Sequence, residues 1–334
     1  MPGSQRQRVG VVGVGHVGRH HARILSEAPD VDLVSVVDID RGRADMVASE
    51  TQSRAEVDAA RLLGQVDAVT IAVPTEAHAR VATPFLAAGI PVLVEKPIAA
   101  SLAEADAMIR VARESGATFA VGHSERYNPA VTAAMPLVTE PRFIEVHRLA
   151  AFPARGLDVD VVFDVMIHDI DVLLAIMKAE PVLTEAVGVP VLTDRIDIAN
   201  ARLRFGNGCI ANLTASRISR DRVRKLRFFQ HHALVTVDCV AQEVEAFRVT
   251  RSPDREPVIE GGRVSVPEGE PLEIELRDFV SAVLTGGVPR VDGIAGRRAL
   301  ALAEAITVAM QEREEESRPH DNGPGGAERD VRNP

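Results

Sequence analysis

The sequence is poor in cysteine and in long apolar runs, and each shortage excludes a class of protein. Only two cysteines occur in 334 residues, Cys209 and Cys239, far apart and outside any CxxC spacing. A disulfide framework or a thiolate metal site is therefore not predicted, and we expect two buried thiols. No apolar run reaches the roughly 18 residues that a membrane-spanning helix needs, so we expect no membrane partner.

Positive charge is also scarce. The formal net charge of −10 argues against a nucleic-acid partner, because binding a phosphate backbone needs a basic surface. One run is an exception: SRISRDRVRKLR, Ser216 to Arg227, holds six positive side chains and one aspartate. These arginines could contact a diphosphate, or form the solvated face of a sheet. The N-terminal residues do not resemble a secretion signal, so the expected location is cytoplasmic.

The spacing of apolar runs divides the chain into two halves, as its length also predicts. Up to residue 122, short Val/Ile/Ala runs such as AVTIAV and PVLVE alternate with helical stretches. Continuous apolar strands of this kind are buried on both faces, which is typical of a parallel sheet covered by helices. Residues 1–122 are therefore predicted to form an α/β domain with a doubly wound parallel sheet.

Residues 123–312 have a different order of strands and helices. They are predicted to form an α+β domain with a large, mainly antiparallel open sheet. A helix is expected from about Asp160 to Lys178, and hairpin turns at Gly206-Asn207-Gly208 and His231-His232. Helical spacing then predicts two terminal helices, Leu272 to Leu284 and Gly296 to Met310. Residues 313–334 have almost no aliphatic side chains, which predicts a disordered tail.

A glycine motif lies between the first strand and the first helix. Gly13-Val14-Gly15-His16-Val17-Gly18 fits GxGxxG, and Asp38 follows 20 residues after Gly18, where the second strand ends. In a dinucleotide site, Gly13 would make the tight turn, Gly15 would let the backbone approach a pyrophosphate, and Gly18 would let the helix lie on its strand. The alternative is a tight turn without a ligand.

The acidic residue predicts which dinucleotide binds. Asp38, with Ile39 beside it, would accept hydrogen bonds from the ribose hydroxyls and repel a 2′-phosphate, which favours NAD and makes NADP the less favoured cofactor. Arg41 and Arg43 nearby weigh against that choice. A metal site at His16, His20 and His21 is not predicted, because no Cys, Asp or Glu accompanies them at ligand spacing. We expect His21 on the inner face of the helix.

Two later stretches carry candidate chemistry. VLVEKPIAAS places Glu95, Lys96 and Pro97 at the carboxyl end of a buried strand, where open α/β sheets bind ligands. In VVFDVMIHDIDVLL, Asp164 and His168 are four residues apart and Asp171 is three further on, so helical geometry puts them on one face. A carboxylate and an imidazole in this arrangement could form a proton-transfer pair, or merely a solvated face.

Together these stretches and the phrase AVPTEAHARVATPFLAAGIPVLVEKPIA resemble the Gfo/Idh/MocA oxidoreductases, over nearly the whole chain to about residue 310. The resemblance implies a Rossmann domain that binds NAD(P), a second domain whose open sheet forms homodimers or homotetramers, and a cis bond between Lys96 and Pro97. It implies that Lys96, Asp164 and His168 are the catalytic and substrate-binding set. Further implied dinucleotide contacts are Pro74, Thr75, His78, Glu95 and Lys96.

Within the family, VGHSERYNPAV and DVMIHDIDVLL are similar to a branch that oxidises the 3-hydroxyl of nucleotide sugars of the UDP-N-acetylglucosamine type, on the way to an amino-sugar lipid A. Arg126, Tyr127 and Asn128 lie at the domain junction. Tyr127, the only tyrosine in a chain without tryptophan, could stack on a sugar, and these three residues are predicted to bind substrate. Alternatively, Tyr127 packs in the hinge and Asn128 caps the next helix.

The expected chemistry is oxidation of a sugar secondary alcohol, with hydride passing to the nicotinamide. His168 titrates near neutral pH and is our candidate base, while Lys96 would stabilise the developing alkoxide and Asp164 would orient the imidazole or the substrate. The sequence leaves open which of Lys96 and His168 takes the proton. Two other functions stay open: an inositol or free-sugar dehydrogenase, and a non-catalytic NAD-binding sensor.

Overall fold

The computed structural model describes residues 6–152, 159–252 and 255–317. Within them, the first half of the chain forms a six-stranded parallel sheet in the order β3-β2-β1-β4-β5-β6. The strands are β1 (Gln7–Val12), β2 (Val31–Val37), β3 (Arg54–Glu56), β4 (Ala68–Ile71), β5 (Val92–Glu95) and β6 (Phe119–Gly122). This sheet is the predicted doubly wound α/β half, and it is built from the Val/Ile/Ala runs of the sequence.

Four helices flank the parallel sheet within this described segment. They are α1 (Gly18–Glu27), α2 (Arg41–Thr51), α3 (Thr75–Ala87) and α4 (Leu102–Ser115). Side-chain caps set two of their starts, because Asp40 accepts a hydrogen bond from the Arg43 N–H and Ser101 accepts one from the Glu104 N–H. Helix α4 ends at Gly116, whose φ of 75° is accessible to glycine at no steric cost.

The second half of the chain forms an eight-stranded sheet within the described residues, in the order β14-β13-β12-β11-β7-β10-β9-β8. The strands are β7 (Pro141–Leu149), β8 (Pro181–Val189), β9 (Ile198–Phe205), β10 (Ile210–Ser216), β11 (Val223–Gln230), β12 (Ala233–Asp238), β13 (Glu243–Ser252) and β14 (Arg255–Val264). Strands β7 and β10 pair in parallel, and the other neighbours are antiparallel. The predicted fold class is confirmed, as are both hairpin turns.

The remaining helices cover this sheet and connect it to the first half. They are α5 (Pro129–Ala134), α6 (Ile167–Met177), α7 (Pro271–Thr285) and α8 (Gly293–Ser317), and a π-helical turn (Val162–Met166) precedes α6. One face of the sheet packs with α6 and α8 around a core that includes Ile170, Phe205 and Ile306. Cys209 and Cys239 are free and buried in that core, as predicted.

The last two helices return to the parallel sheet. Leu276, Phe279 and Val280 of α7 share an apolar cluster with α1, and Leu300 of α8 lies in the cluster around β5 and β6. The backbone also closes the sheet edge, since the Val121 N–H donates to the Val291 carbonyl. The parallel sheet is therefore completed by residues from the end of the chain.

Helix α8 continues to Ser317, into the segment that is predicted to be a tail. Residues 318–334 lie outside the described part of the chain. Among the described helices, none combines the length and the apolar character that crossing a membrane requires.

Glu275 of α7 is a buried acid where the two halves meet. Its side chain is 1% exposed, and neither carboxyl oxygen has a hydrogen-bond partner among the described residues. Burial raises the pKa of Glu275 well above its usual range, and the nearby carboxyls of Glu95, Asp171 and Asp278 raise it further. Both effects favour the protonated form of Glu275 in the folded protein.

Replacing Glu275 by glutamine should remove a pH-dependent loss of folding stability. The pKa of Glu275 is higher in the folded than in the unfolded protein, so the wild type loses stability as the pH rises above the ordinary glutamate pKa of about 4.3. The loss is at most about 1.4 kcal/mol per pH unit. The free energy of unfolding of Glu275→Gln, relative to wild type, should increase between pH 5 and pH 8 in denaturant titrations. Glu273→Gln on the exposed side of α7 is the control; parallel curves for Glu275→Gln and wild type would contradict a protonated Glu275.

Candidate active site

The glycine turn between β1 and α1 has the steric requirements that the motif predicts. Gly13 has a φ of +83°, and a Cβ there would lie 2.6 Å from the Ala72 carbonyl oxygen. A Cβ on Gly18 would overlap the Gly13 carbonyl oxygen, whereas a Cβ on Gly15 would meet no atom within 4 Å. Gly13 and Gly18 therefore allow the chain to turn and α1 to approach β1, and Gly15 borders open space.

Asp38 connects this turn to the end of β2. One carboxyl oxygen accepts the Val14 N–H at 3.0 Å and the other accepts the Asp40 N–H at 2.9 Å. The Arg43 guanidinium lies 3.2 Å from both oxygens. Asp38 is 6% exposed, so a negative charge is held in place beside the turn and is partly balanced by Arg43.

Two adjoining cavities follow the carboxyl edge of the parallel sheet. The first, of about 570 Å³, is lined by Gly13, Gly15, Asp38, Ile39 and Pro74, among others. Arg43 and Arg80 also line it.

The second cavity, of about 250 Å³, is lined by Val17, Thr75, Glu95, Lys96 and Asp164, with neighbouring apolar residues. Both cavities include Ala72 and Val73. The two cavities therefore lie side by side along the edge of the sheet, and together we call them the groove.

The histidines of the motif differ in their surroundings. His16 is exposed and its ring lies edge-on to His20 at 5.6 Å between centroids. His21 is fully buried on the inner face of α1, as predicted, and its Nε2 lies 3.1 Å from Glu95 Oε1. In the part of the chain that the structure describes, no group of three His, Cys, Asp or Glu side chains could hold a metal ion.

Glu95 ends β5 as a buried carboxylate. Burial favours its neutral form, but the hydrogen bond to His21 and the positive charge of Lys96 outweigh it, so the pKa of Glu95 is lowered. The carboxylate needs the space that Gly122 leaves, since a Cβ there would lie 2.8 Å from Glu95 Oε1. The bond from Lys96 to Pro97 is cis, as the resemblance implies.

His78 lies behind the groove. Its Nδ1 is 2.9 Å from the Pro97 carbonyl oxygen and its Nε2 is 3.0 Å from the Val73 carbonyl oxygen. Burial lowers the pKa of His78, and a neutral imidazole can donate to only one of these carbonyls at a time. His78 therefore connects the two loops that border the second cavity, and its predicted contact with the dinucleotide stays a prediction.

Lys96 meets the second half of the chain at Asp164. Its Nζ donates to the Asp164 carbonyl oxygen at 2.7 Å and lies 3.3 Å from Asp164 Oδ1. Asp164 lies in the π-helical turn, in which the Ile167 N–H donates five residues back to Val162. A π turn interrupts the α-helical bonding pattern, and such turns are frequent at functional sites. Lys96 and Asp164 are thus brought together as predicted.

His168 lies one turn further along, half-buried and outside the lining of the second cavity. Its Nδ1 is enclosed without a hydrogen-bond partner among the described side chains and backbone. Burial, and then the positive charges of Lys96 and Arg148, hold the pKa of His168 well below its usual range. The imidazole is therefore neutral at pH 7 and able to accept a proton.

Asp171, three residues after His168 in α6, is buried and paired rather than part of a solvated polar face. Its side chain is 1% exposed, and its two carboxyl oxygens accept hydrogen bonds from Arg126 at 2.6 and 2.8 Å. The ion pair with Arg126 accounts for a carboxylate at this buried position.

The three junction residues that are predicted to bind substrate all make structural contacts. Arg126 is engaged by Asp171, and the Tyr127 hydroxyl donates to Asp278 at 2.8 Å. Asn128 caps α5 through the Ala130 N–H and donates to the Cys239 carbonyl. All three are buried and none lines the two cavities of the groove. These contacts favour the alternative of a packed hinge and a helix cap, and substrate binding by these residues stays a prediction.

The basic run is largely paired with carboxylates. Arg217 is 1% exposed and bonds Asp197 at 2.8 Å. Arg227 bonds Glu145 at 2.9 Å, and Arg224 lies 3.4 Å from Glu125. These contacts favour a structural role for the run over a diphosphate site.

A buried ionic network beneath α6 was not found by sequence reasoning. Arg148 of β7 bonds Asp169 through Nε and Nη2, both at 2.7 Å, and donates to Glu125 at 2.8 Å. The available signal was charge inside apolar stretches: Asp169 within MIHDIDVLL and Arg148 on a buried strand. Charged residues at such positions are almost always paired.

Comparisons with known proteins agree with this geometry. A family model described as "Oxidoreductase family, NAD-binding Rossmann fold" matches residues 7–123, and one described as "GFO/IDH/MocA C-terminal domain" matches residues 143–236. The chain belongs to the Gfo/Idh/MocA oxidoreductase family. It is therefore an NAD-dependent dehydrogenase, and Lys96 and Asp164 lie in its groove.

Several relatives cover almost the whole chain. A UDP-N-acetylglucosamine 3-dehydrogenase of Acidithiobacillus ferrooxidans is 39% identical over 91% of this chain and 97% of its own. A solved structure of that enzyme superposes with a TM-score of 0.85 at 38% identity, over 92% and 98% of the two chains. An inositol 2-dehydrogenase of Rhizobium meliloti is 25% identical over 92% and 97%.

The residues of the groove fit NAD. The open space beside Gly15 and the start of α1, which Val17 does not cap with its side chain, suit a pyrophosphate. The carboxylate of Asp38 suits ribose hydroxyls, since two backbone N–H bonds leave it further acceptor capacity. The groove then reaches Lys96, where the nicotinamide and the alcohol would meet.

Two glycine variants should distinguish a glycine needed for folding stability from one needed for cofactor binding. Gly15→Ala should leave the melting temperature unchanged, because its Cβ meets nothing, while weakening NADH binding by about tenfold or more. Gly18→Ala should destabilise the protein by about 2 kcal/mol or more, since its Cβ overlaps the backbone. Thermal unfolding and NADH fluorescence titration measure both effects; wild-type NADH affinity in Gly15→Ala would place the pyrophosphate elsewhere.

Asp38→Asn should relax the choice between NAD and NADP. The change removes the negative charge while keeping one oxygen acceptor, and it leaves Arg43 free to meet a 2′-phosphate. The ratio of NADPH to NADH dissociation constants should fall by about tenfold or more in fluorescence titrations. Asp45→Asn, an exposed acid paired with Arg41, is the control; an unchanged ratio in Asp38→Asn would show that Asp38 does not select the cofactor.

Proposed function

We propose that this protein oxidises the 3-hydroxyl of a UDP-N-acetylglucosamine-type nucleotide sugar to the 3-keto sugar, with NAD as hydride acceptor. The observation that carries the proposal is the position of Lys96, whose ammonium group lies at the end of the dinucleotide groove and is held by Asp164. The substrate class is supported by the 39% identical relative that spans almost the whole chain. Such a product is an amino-sugar precursor, as in lipid A synthesis.

The reaction removes a proton from the hydroxyl oxygen and a hydride from its carbon. When bound, NAD supplies the electrophilic ring carbon that takes the hydride. The chain must then provide a proton acceptor and a group that stabilises negative charge on oxygen. His168 is neutral at pH 7, as an acceptor must be, and we assign it this role.

Lys96 stabilises the developing alkoxide. Its side chain is 17% exposed, and its ammonium group is fixed by two oxygens of Asp164, so it requires little reorganisation as charge develops. Two hydrogen bonds to Asp164 leave at least one ammonium proton for the substrate oxygen. We assign Asp164 the role of orienting Lys96, whereas the sequence suggested that it orients the imidazole or the substrate.

An inositol or free-sugar dehydrogenase is the second candidate. It is favoured by the pairing of Arg217, Arg224 and Arg227 with carboxylates, because a free sugar needs no diphosphate site. It is also consistent with the 25% identical inositol 2-dehydrogenase. Family membership makes the chain an oxidoreductase rather than a non-catalytic NAD-binding sensor. Homo-oligomers formed through the open sheet and a cytoplasmic location stay predictions.

Substrate profiling distinguishes the two candidates. NADH formation, followed by absorbance, should be seen with UDP-N-acetylglucosamine and not with myo-inositol. UDP alone should inhibit competitively if the diphosphate is recognised. Turnover of myo-inositol without inhibition by UDP would establish the second candidate instead.

Lys96→Met should abolish turnover while preserving cofactor binding. Loss of the charged donor should lower kcat by at least about 100-fold, whereas the NADH dissociation constant should stay measurable. Lys225→Met, which changes a surface lysine paired with Asp238, is the matched control and should retain activity. Equal kcat values for Lys96→Met and wild type would remove Lys96 from the mechanism.

A further inference from the structure

His123 is a buried histidine that neither the groove nor the ionic network uses. It follows β6 directly and is 0% exposed. Neither of its ring nitrogens has a hydrogen-bond partner among the described residues. Its ring lies edge-on to that of His168, with 6.2 Å between centroids and 87° between planes.

Three unpartnered nitrogens thus belong to two neighbouring rings: both of His123 and Nδ1 of His168. Buried polar atoms are nearly always hydrogen-bonded, and leaving them unpaired costs stability. A phenylalanine at position 123 would fill similar space without that cost. The imidazole of His123 therefore points to a role that needs a ring nitrogen.

The protonation of His168 identifies the role. A neutral imidazole carries its proton on one nitrogen and a lone pair on the other. If Nε2 is to accept the proton of the substrate, the proton of the resting ring must be on Nδ1, and that N–H needs an acceptor behind it. In serine proteases the orienting aspartate serves this purpose.

The described carboxylates of this region are each paired with another charged or titratable group. Asp169 is engaged by Arg148, and Asp171 by Arg126. Glu95 is bonded to His21, and Asp164 to Lys96. His123, in contrast, is in ring contact with His168 and has no hydrogen-bond partner among the described residues.

We propose that His123 is a positioning residue that holds His168 in the Nδ1–H tautomer, with Nε2 free to accept the substrate proton. The contact runs from His168 Nδ1–H to a ring nitrogen of His123 through one bridging water. This role rests on the proposed function of His168 as the base. Once His168 is protonated, the same contact stabilises the imidazolium.

The surrounding charges keep both rings neutral before the reaction. Burial lowers the pKa of His123, which Asp171 and Glu95 raise and Arg126 and Lys96 lower. Burial also lowers the pKa of His168, as do Lys96, Arg148, His123 and Arg224. A neutral His123 retains the lone pair that the proposal requires.

The tautomer can be measured without any substrate. The full-length protein, labelled with ¹⁵N-histidine, should show His168 as the Nδ1–H tautomer in NMR spectra at pH 7.5, with the resonance assigned by its loss in His168→Gln. In His123→Phe the population should shift toward Nε2–H, while His123→Gln, which keeps an acceptor oxygen, should retain the wild-type tautomer. A wild-type Nε2–H tautomer, or no shift in His123→Phe, would overturn the proposal.

Kinetics supply the second readout. His123→Phe should lower kcat by about 10- to 100-fold, because His168 loses the acceptor that orients it. The KM for NAD should not change, and His123→Gln should recover most of kcat. If His123→Phe does not fold, the spectra of the wild type and of His123→Gln still show whether His168 is the Nδ1–H tautomer. Absence of wild-type turnover would contradict the proposed function, whereas the tautomer measurement would still test His123.

Discussion

The bond from the Lys96 ammonium group to the Asp164 carbonyl is the contact on which the site depends. It joins the carboxyl end of a parallel strand to a residue 68 positions later, in the π turn that precedes α6. A π turn interrupts the regular α-helical bonding pattern, and Asp164 lies within it. A lysine held in this way faces the groove with its charge fixed, which is what stabilising an alkoxide requires.

The helix that carries His168 is held by buried ion pairs as well as by apolar packing. Asp169 and Asp171, two residues apart, each bind a buried arginine through two hydrogen bonds. Removing either partner would leave an uncompensated charge in the interior, so α6 has little freedom to rotate. The network thus fixes the direction in which His168 points, and the positive charges near it keep the imidazole neutral.

Much of the architecture was predictable because it depends on local pattern. Apolar runs identified five of the six parallel strands, and the three-residue strand Arg54–Glu56 was too short to show a pattern. Gly13, Gly18 and Asp38 were recognisable because turn geometry demands those residue types at that spacing. The π turn and the pairing of Arg126 with Asp171 were not predictable, since both depend on contacts between residues distant in sequence. The role of Tyr127 was not predictable either. Nothing in the sequence distinguishes an aromatic residue that stacks on a ligand from one that packs between domains.

The return of the chain end to the parallel sheet has a consequence for evolution and engineering. Val291 covers the edge of β6, and α7 covers the apolar side of α1. An isolated nucleotide-binding half would expose a strand edge and an apolar helix surface, both of which promote aggregation. The two halves therefore depend on each other for stability, and an exchange of the second half between relatives would have to keep the final helices of the recipient chain.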